Sequence, residues 1–177
     1  STEAQAHSEK LQALILDEIE TAGGRIGFDR FMGLALYAPG LGYYSAGSHK
    51  FGEAGDFVTA PEISPLFSHS LARQCAEVLK GIGGGDILEF GAGSGVMAAD
   101  ILLALEQLDS LPEHYFILEV SADLRRRQRQ TLAGKAPQLA GRVVWLDALP
   151  ESGFCGVVLA KTSSFDKLVI DALGGDD

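Results

Sequence analysis

The chain has 177 residues, of which 46% are hydrophobic, and its formal net charge is −10. This length and apolar content are enough for a compact fold with a buried core that needs neither disulfides nor metal. The acidic balance repels phosphate backbones, so nucleic acid is disfavoured as a partner.

Cysteine and leader patterns point to the interior of a cell. Cys75 and Cys155 lie in helical or apolar patterns and are expected to be small buried hydrophobes in a reducing compartment. No basic flank with an apolar stretch opens the chain, and no window reaches about 18 uninterrupted apolar residues. We therefore expect a cytoplasmic chain without a signal peptide or membrane span. The four histidines are scattered, so no metal site is expected.

Residues 1–80 are predicted to form an N-terminal helical and loop extension. Apolar residues at helical spacing predict a helix over 8–22. Residues 25–61 mix aromatics with turn residues, which predicts short elements within an ordered loop region. Ser64 followed by Pro65 predicts a helix start, because the hydroxyl can cap backbone N–H groups and proline fits the first helical position. We expect this extension to cover a binding site in the domain that follows it.

Residues 81–177 are predicted to form an α/β domain. Helices are predicted from Val96 to Leu108, and from the cap Ser121 to about Leu132. The predicted strands are 86–90, 115–120, 142–146 and 154–160. Helical connections between strands predict a parallel sheet with helices on both faces.

The loop Gly91-Ala92-Gly93-Ser94-Gly95 lies between a predicted strand and a predicted helix, where open parallel sheets bind ligands. Glycine lets the backbone approach a ligand closely. A dinucleotide fingerprint needs a glycine where this chain has Val96, so a nicotinamide-dependent oxidoreductase is disfavoured. Glu89 would repel a pyrophosphate, but it suits the ammonium group of an amino-acid-bearing ligand such as S-adenosylmethionine (SAM).

Two further acids mark the ends of predicted strands: Glu119 lies at the end of the second, and Asp147 follows the third. Glu119, next to Val120, is positioned to accept both ribose hydroxyls of a nucleoside. Asp147 is expected to reach the adenine amino group, and Ala148 to give an apolar contact. Each acid alone is equally well explained as a solvated loop carboxylate. Three acids at successive strand ends, with the glycine loop at the first, together favour a SAM site.

Longer segments carry a family resemblance. They are Ile26-Gly27-Phe28, Phe31-Met32, Leu36-Tyr37, Pro39, Gly42-Tyr43-Tyr44 and Gly55-Asp56-Phe57-Val58-Thr59-Ala60-Pro61-Glu62-Ile63-Ser64. With the glycine loop, they resemble the MidA-like SAM-dependent methyltransferases over residues 8–160. The resemblance implies a Rossmann-like class I methyltransferase fold, SAM as cofactor and a protein substrate methylated on arginine. The family includes a mitochondrial arginine methyltransferase that acts in complex I assembly, so a respiratory-complex subunit is among the implied partners.

The family segment also supplies catalytic candidates. A methyl group on a sulfonium is already activated, so catalysis consists mainly of positioning the acceptor and removing its proton. A guanidinium acceptor calls for a carboxylate, and we predict this role for Asp56 and Glu62, with Thr59 as a cofactor or substrate contact. The alternative is structural: Asp56 as a turn acid and Glu62 as a helix-start carboxylate.

An arginine-rich run and the sequence after Ala160 are not assigned to the cofactor site. The run Arg125-Arg126-Arg127-Gln128-Arg129 lies on a predicted helix and is expected to be a solvated face. After Ala160, the family pattern continues with an Asn-Glu pair, where this chain reads Lys161-Thr162-Ser163. We therefore expect a truncated sheet with an atypical tail, whose exposed edges favour homo-oligomers. A non-catalytic SAM-binding or assembly module is the alternative function.

Overall fold

The computed structural model describes residues 2–45, 60–150 and 153–160, with side chains from residue 5 onward. Asp56, Thr59 and the tail after Ala160 lie outside the described residues. The described residues up to 45, together with Ser121–Asp123, form one compact unit, and the other described residues form a second. The sequence-based division at residue 80 thus differs from the division into compact units.

The first unit contains the helices α1 (Thr2–Thr21) and α2 (Phe28–Tyr37). α1 confirms the first predicted helix and begins earlier than expected. α2 is a helix of ten residues in the region where the sequence predicts short elements and ordered loop, and an Asp29 carboxylate in its first turn favours the helix. Within the same unit, the Ser121 hydroxyl donates a hydrogen bond to the Tyr44 carbonyl at 2.7 Å.

The rest of the described chain alternates helices and strands. In order, the elements are α3 (Ala60–Ile63), α4 (Pro65–Ile82), β1 (Asp86–Phe90), α5 (Val96–Gln107), β2 (Tyr115–Leu118), α6 (Ala122–Lys135), a 3-10 turn (Ala140–Arg142), β3 (Val143–Leu146) and β4 (Gly156–Ala160). The predicted cap is confirmed: the Ser64 hydroxyl accepts a hydrogen bond from the Leu66 N–H at 3.2 Å, at the start of α4. All four predicted strands are present, and β2 ends two residues earlier than expected.

The four strands form a parallel sheet in the order β3-β2-β1-β4. The connections through α5 and α6 step along the sheet in the same direction, so right-handed crossovers place both helices on the same face. α4 packs against α5 and β4. The predicted α/β fold with a parallel sheet is therefore confirmed, and the described helices of the second unit cover one face.

The core lies between that face and the helices. Because side chains alternate along a strand, every second residue of each strand points into it. The strand residues in this core are Ile87, Tyr115, Ile117, Val143, Trp145, Val157 and Leu159. On the other face, Val158 is 52% exposed. The helix-covered face therefore holds the side chains on which the candidate site is built.

The two cysteines differ in their burial. Cys75 is buried, but Cys155 is exposed, so the expectation of two buried cysteines is wrong for Cys155. Burial raises the pKa of the Cys75 thiol to about 11. Among the described helices, none combines the length and the apolar character that crossing a bilayer requires.

Candidate functional site

The glycine loop, Gly91 to Gly95, joins β1 to α5. Gly91, Gly93 and Gly95 have φ angles of 62°, 56° and 81°, which L side chains rarely adopt. The Gly91 N–H donates to the Leu118 carbonyl at 3.2 Å, which ties the start of the loop to β2. The Gly95 N–H donates to the Ala92 carbonyl at 2.9 Å. The loop is therefore a defined turn at the carboxyl end of the central strands.

Glu89 lies near the end of β1, on the helix-covered face, and its residue exposure is 0%. Its Oε2 accepts a hydrogen bond from the Tyr115 hydroxyl at 2.8 Å. Burial, together with the negative charge of Glu89, raises the pKa of Tyr115 well above its usual value. A carboxylate in a buried environment of low dielectric constant attracts a cation more strongly than a carboxylate in water does.

The other two acids are brought to the same edge of the sheet. Leu118 of β2 pairs with Leu146 of β3, so Glu119 and Asp147, which follow them, leave the sheet at the same level. Glu119 is 5% exposed, whereas the Asp147 side chain is 91% exposed. The predicted contacts Val120 and Ala148 are also exposed. The predicted acids therefore differ sharply in burial, although they share an edge.

Arg125 of α6 links the ends of β2 and β3. Its Nε donates to the Glu119 carbonyl, and its Nη2 donates to the Leu146 carbonyl at 2.7 Å. The same Nη2 lies 2.7 Å from Asp147 Oδ1. Only 16% of the Arg125 side chain is exposed, so the expected solvated face is wrong for this residue. Arg129 lies with its guanidinium carbon 4.6 Å from the centre of the Trp145 ring.

Gln128, also on α6, connects the glycine loop to Glu119. Its Nε2 donates to the Gly93 carbonyl at 3.1 Å and to Glu119 Oε2 at 3.2 Å. Its Oε1 accepts from the Trp145 indole N–H at 2.9 Å. The amide of Gln128 thus joins the glycine loop, the acid that follows β2 and a side chain of β3.

The catalytic candidates are placed less completely. Glu62 lies half-buried in α3, which packs against α4 and α5. α5 begins directly after the glycine loop, so the structure brings the Glu62 segment to the helix that carries the loop. Asp56 and Thr59 fall outside the described residues, and their roles stay predictions.

Tyr115, Arg125 and Gln128 are not predicted from the sequence. A run of arginines around a glutamine has the composition of a solvated surface, although Gln128 is buried and the Arg125 side chain is only 16% exposed. One pattern does reveal Gln128: it lies at the centre of the buried residues of α6, four residues from Leu124 and four from Leu132.

A parallel α/β sheet with a glycine loop after its first strand, and acids at the ends of the next ones, is a nucleotide-cofactor domain. Comparison with known families identifies which one. A profile of the family described as "Putative S-adenosyl-L-methionine-dependent methyltransferase" matches residues 70–174, more than half of the chain. This chain belongs to that family, as the sequence resemblance indicates.

Named relatives agree with the family. The mitochondrial protein arginine methyltransferase NDUFAF7 of Danio rerio is 34% identical over 124 residues, which are 66% of this chain and 29% of that protein. The Mus musculus protein of the same name is 33% identical over 142 residues, covering 73% of this chain and 32% of that protein. This chain therefore spans less than a third of the length of these curated relatives.

A solved structure shows both the fold and a ligand. A protein from Burkholderia thailandensis, crystallised with S-adenosyl-homocysteine (SAH), is 51% identical in sequence and superimposes with a TM-score of 0.80. The match covers 90% of this chain and 42% of that one. The Rossmann-like methyltransferase fold and the SAM type of cofactor are thus established for this chain's family.

Proposed function

We propose that the carboxyl edge of β1, β2 and β3 binds SAM, and that the protein transfers the methyl group to an arginine side chain of a protein substrate. The single observation that carries the proposal is that Glu119 and the glycine loop are held together by one buried amide, at the edge where parallel sheets bind ligands. Glu119 accepts the ribose hydroxyls, and the loop lies against the amino-acid part of SAM.

The donor set fits such a cofactor. A carboxylate offers about four acceptor sites, and the two hydroxyls of a ribose diol need two of them. The positive φ angles of the loop glycines keep side chains away from the cofactor. We assign Asp147, with Ala148, to the adenine, and Val120 to an apolar contact beside Glu119. Glu89 lies two residues before the loop in the chain, and its charge favours the sulfonium and ammonium groups of SAM.

Methyl transfer itself draws on SAM for an activated methyl group, and the chain's residues supply position. We propose that Glu62, with Asp56, orients the acceptor guanidinium and receives its proton. Support for arginine comes from the relatives in Danio rerio and Mus musculus, which are named protein arginine methyltransferases. A respiratory-complex subunit as substrate, a homo-oligomer and a cytoplasmic location remain predictions from the sequence.

Thermal unfolding with SAH, SAM or NADH tests the cofactor. SAH at about 100 times its dissociation constant is expected to stabilise the protein by about 2.7 kcal/mol, and NADH is expected to leave the midpoint unchanged. Stabilisation by NADH alone would contradict the assignment. A chain that binds SAH and transfers no methyl group would support the alternative of a SAM-binding or assembly module.

Transfer of a labelled methyl group from SAM tests the acceptor. The substrates are arginine-containing peptides and matched peptides in which lysine replaces each arginine. Label is expected in the arginine set only, and Glu62→Gln is expected to lower kcat about 100-fold while leaving SAH affinity unchanged. Equal labelling of the lysine peptides would refute arginine as the acceptor.

A further inference from the structure

A glutamine lies at the centre of the buried stripe of α6. Leu124, Gln128 and Leu132 are the residues of this helix that the structure buries, at a spacing of four. Gln128 is 0% exposed. An amide in such a place costs about 1–3 kcal/mol unless its donors and acceptor are hydrogen-bonded, whereas leucine would fill the stripe at no such cost. Its presence calls for a role that an apolar side chain does not meet.

The hydrogen bonds of Gln128 define its orientation uniquely. Both Nε2 hydrogens face acceptors, the Gly93 carbonyl and the Glu119 carboxylate, and Oε1 faces the indole N–H of Trp145. Rotating the amide by half a turn would set its oxygen against two acceptors and its NH2 group against a donor. The three partners therefore hold the amide in one state, and the amide in turn holds Glu119.

The helix also lies directly against the glycine loop. A Cβ added at Gly95 would come within 2.9 Å of the Gln128 Cα. One helical turn on, the Thr131 hydroxyl donates to the Ser94 carbonyl at 2.7 Å. Two loop carbonyls, at Gly93 and Ser94, are thus bound by side chains of the same helix. This contact makes the loop and the Glu119 carboxylate one connected unit.

We propose that Gln128 is a positioning residue for SAM: its amide fixes the Glu119 carboxylate, relative to the glycine loop, in the geometry that accepts the ribose hydroxyls. The inference rests on the proposed assignment of Glu119 to the ribose. It differs from a purely structural role in one measurable respect. Loss of Gln128 reduces the part of the affinity that depends on the ribose hydroxyls, rather than the whole affinity evenly.

The experiment compares SAH with its 2′,3′-dideoxy analogue by isothermal titration calorimetry. Gln128→Glu keeps the shape and replaces both donors by an acceptor, while Gln128→Met removes the polar group and serves if the first variant does not fold. The matched control is Gln138→Glu. Gln138 is exposed, and its Nε2 donates to Glu106 Oε2 at 3.1 Å, so the control makes the same change beside a carboxylate at the protein surface.

In the unchanged protein and in Gln138→Glu, SAH is expected to bind about 10- to 100-fold more tightly than the dideoxy analogue. In the Gln128 variants this ratio is expected to fall to near one, with the analogue's own affinity little changed. Variants that lose affinity for both compounds evenly, or that keep the full ratio, overturn the positioning role. An unchanged protein that binds SAH without preferring it to the analogue overturns the assignment of Glu119 instead. An unchanged protein that does not bind SAH overturns the proposed function.

Discussion

The two edges of the sheet carry similar side chains in different surroundings. At the amino edge, Asp86 is the first residue of β1, and Glu113 and His114 precede β2. Carboxylate oxygens of the two acids and a ring nitrogen of His114 lie within 4.8 Å of one another, and the group is partly exposed. At the carboxyl edge, Glu89 and Glu119 are 0% and 5% exposed. The acidic residues at the amino ends of β1 and β2 are thus partly exposed to solvent, whereas Glu89 and Glu119 at the carboxyl ends are buried.

The partners of these acids explain the difference. At the amino edge, Asp86 Oδ1 accepts from the backbone N–H of His114 at 2.8 Å and lies 3.3 Å from its Nδ1, contacts that join the starts of β1 and β2 at the surface. At the carboxyl edge, the acids are bound by side chains from other elements, Tyr115 and Gln128. Burying a carboxylate is costly, and buried clusters of this kind mark functional sites more often than partly exposed ones do. This difference in burial supports the proposed binding of the ligand at the carboxyl edge.

The largest effect is expected at the glycine loop. Gly95→Ala puts a Cβ at a φ of 81° and within 2.9 Å of the Gln128 Cα, so the loop must move. We expect the free energy of unfolding to fall by about 2–4 kcal/mol and SAH binding to be lost. The control is Gly134→Ala in α6, where nothing lies within 4 Å, and a gain of about 0.5–1 kcal/mol is expected. Chemical denaturation measures both, and equal effects would contradict the packing account.

The second prediction contrasts the two edges directly. Glu119→Gln removes a charged acceptor from the carboxyl edge, and SAH affinity is expected to fall about 10- to 100-fold. Asp86→Asn makes the same change at the amino edge and is expected to leave SAH affinity unchanged. Calorimetric titration of both variants decides the matter. If Asp86→Asn weakened SAH binding as much as Glu119→Gln does, the comparison between the edges would fail.

A smaller effect is expected where α6 joins the strand ends. Arg125→Gln removes hydrogen bonds to two strand-end carbonyls, and the free energy of unfolding is expected to fall by about 1–3 kcal/mol. Arg129→Gln removes a guanidinium that stacks on Trp145, and a loss of about 0.5–1 kcal/mol is expected. Urea denaturation of the two variants provides the comparison. Losses too small to measure in both variants would restore the solvated-face interpretation.

The smallest effect appears only in alkali. Because the pKa of Tyr115 is raised in the folded protein, the unfolded chain loses that proton first as the pH rises. Its contribution to stability is therefore full below about pH 10 and declines above it. Tyr115→Phe, which cannot ionise, is expected to show a shallower decline of the unfolding midpoint between about pH 9 and 11. Parallel alkaline declines in the two proteins would show that Tyr115 does not titrate in this way.

The sequence predicts the sheet well because its determinants are local. The run from Asp86 to Phe90 is short, apolar and flanked by glycines, and the Ser64-Pro65 start of α4 depends on neighbouring residues alone. The bounds of α2 are not predicted, and its region is predicted only to hold short elements and ordered loop, since ten residues with a central glycine give a weak periodic pattern. Family resemblance, rather than periodicity, supplied the methyltransferase class.

The site is predicted only in part, because its geometry depends on distant contacts. Glu89, Glu119 and the loop are recognisable from their places at the ends of strands. The burial of Gln128 depends on Gly93, 35 residues earlier, and on Trp145, 17 residues later. The difference between the buried Glu119 and the exposed Asp147 likewise depends on the packing of α6, which no local pattern specifies.

A crystal structure of this chain with SAH tests the central claim most directly. The account predicts the ribose hydroxyls of SAH within hydrogen-bonding distance of the Glu119 carboxylate, with the glycine loop, Gly91 to Gly95, along the amino-acid part of the ligand and the Gln128 amide in its present orientation. SAH bound at the amino edge near Asp86, or bound with its ribose away from Glu119, would contradict it.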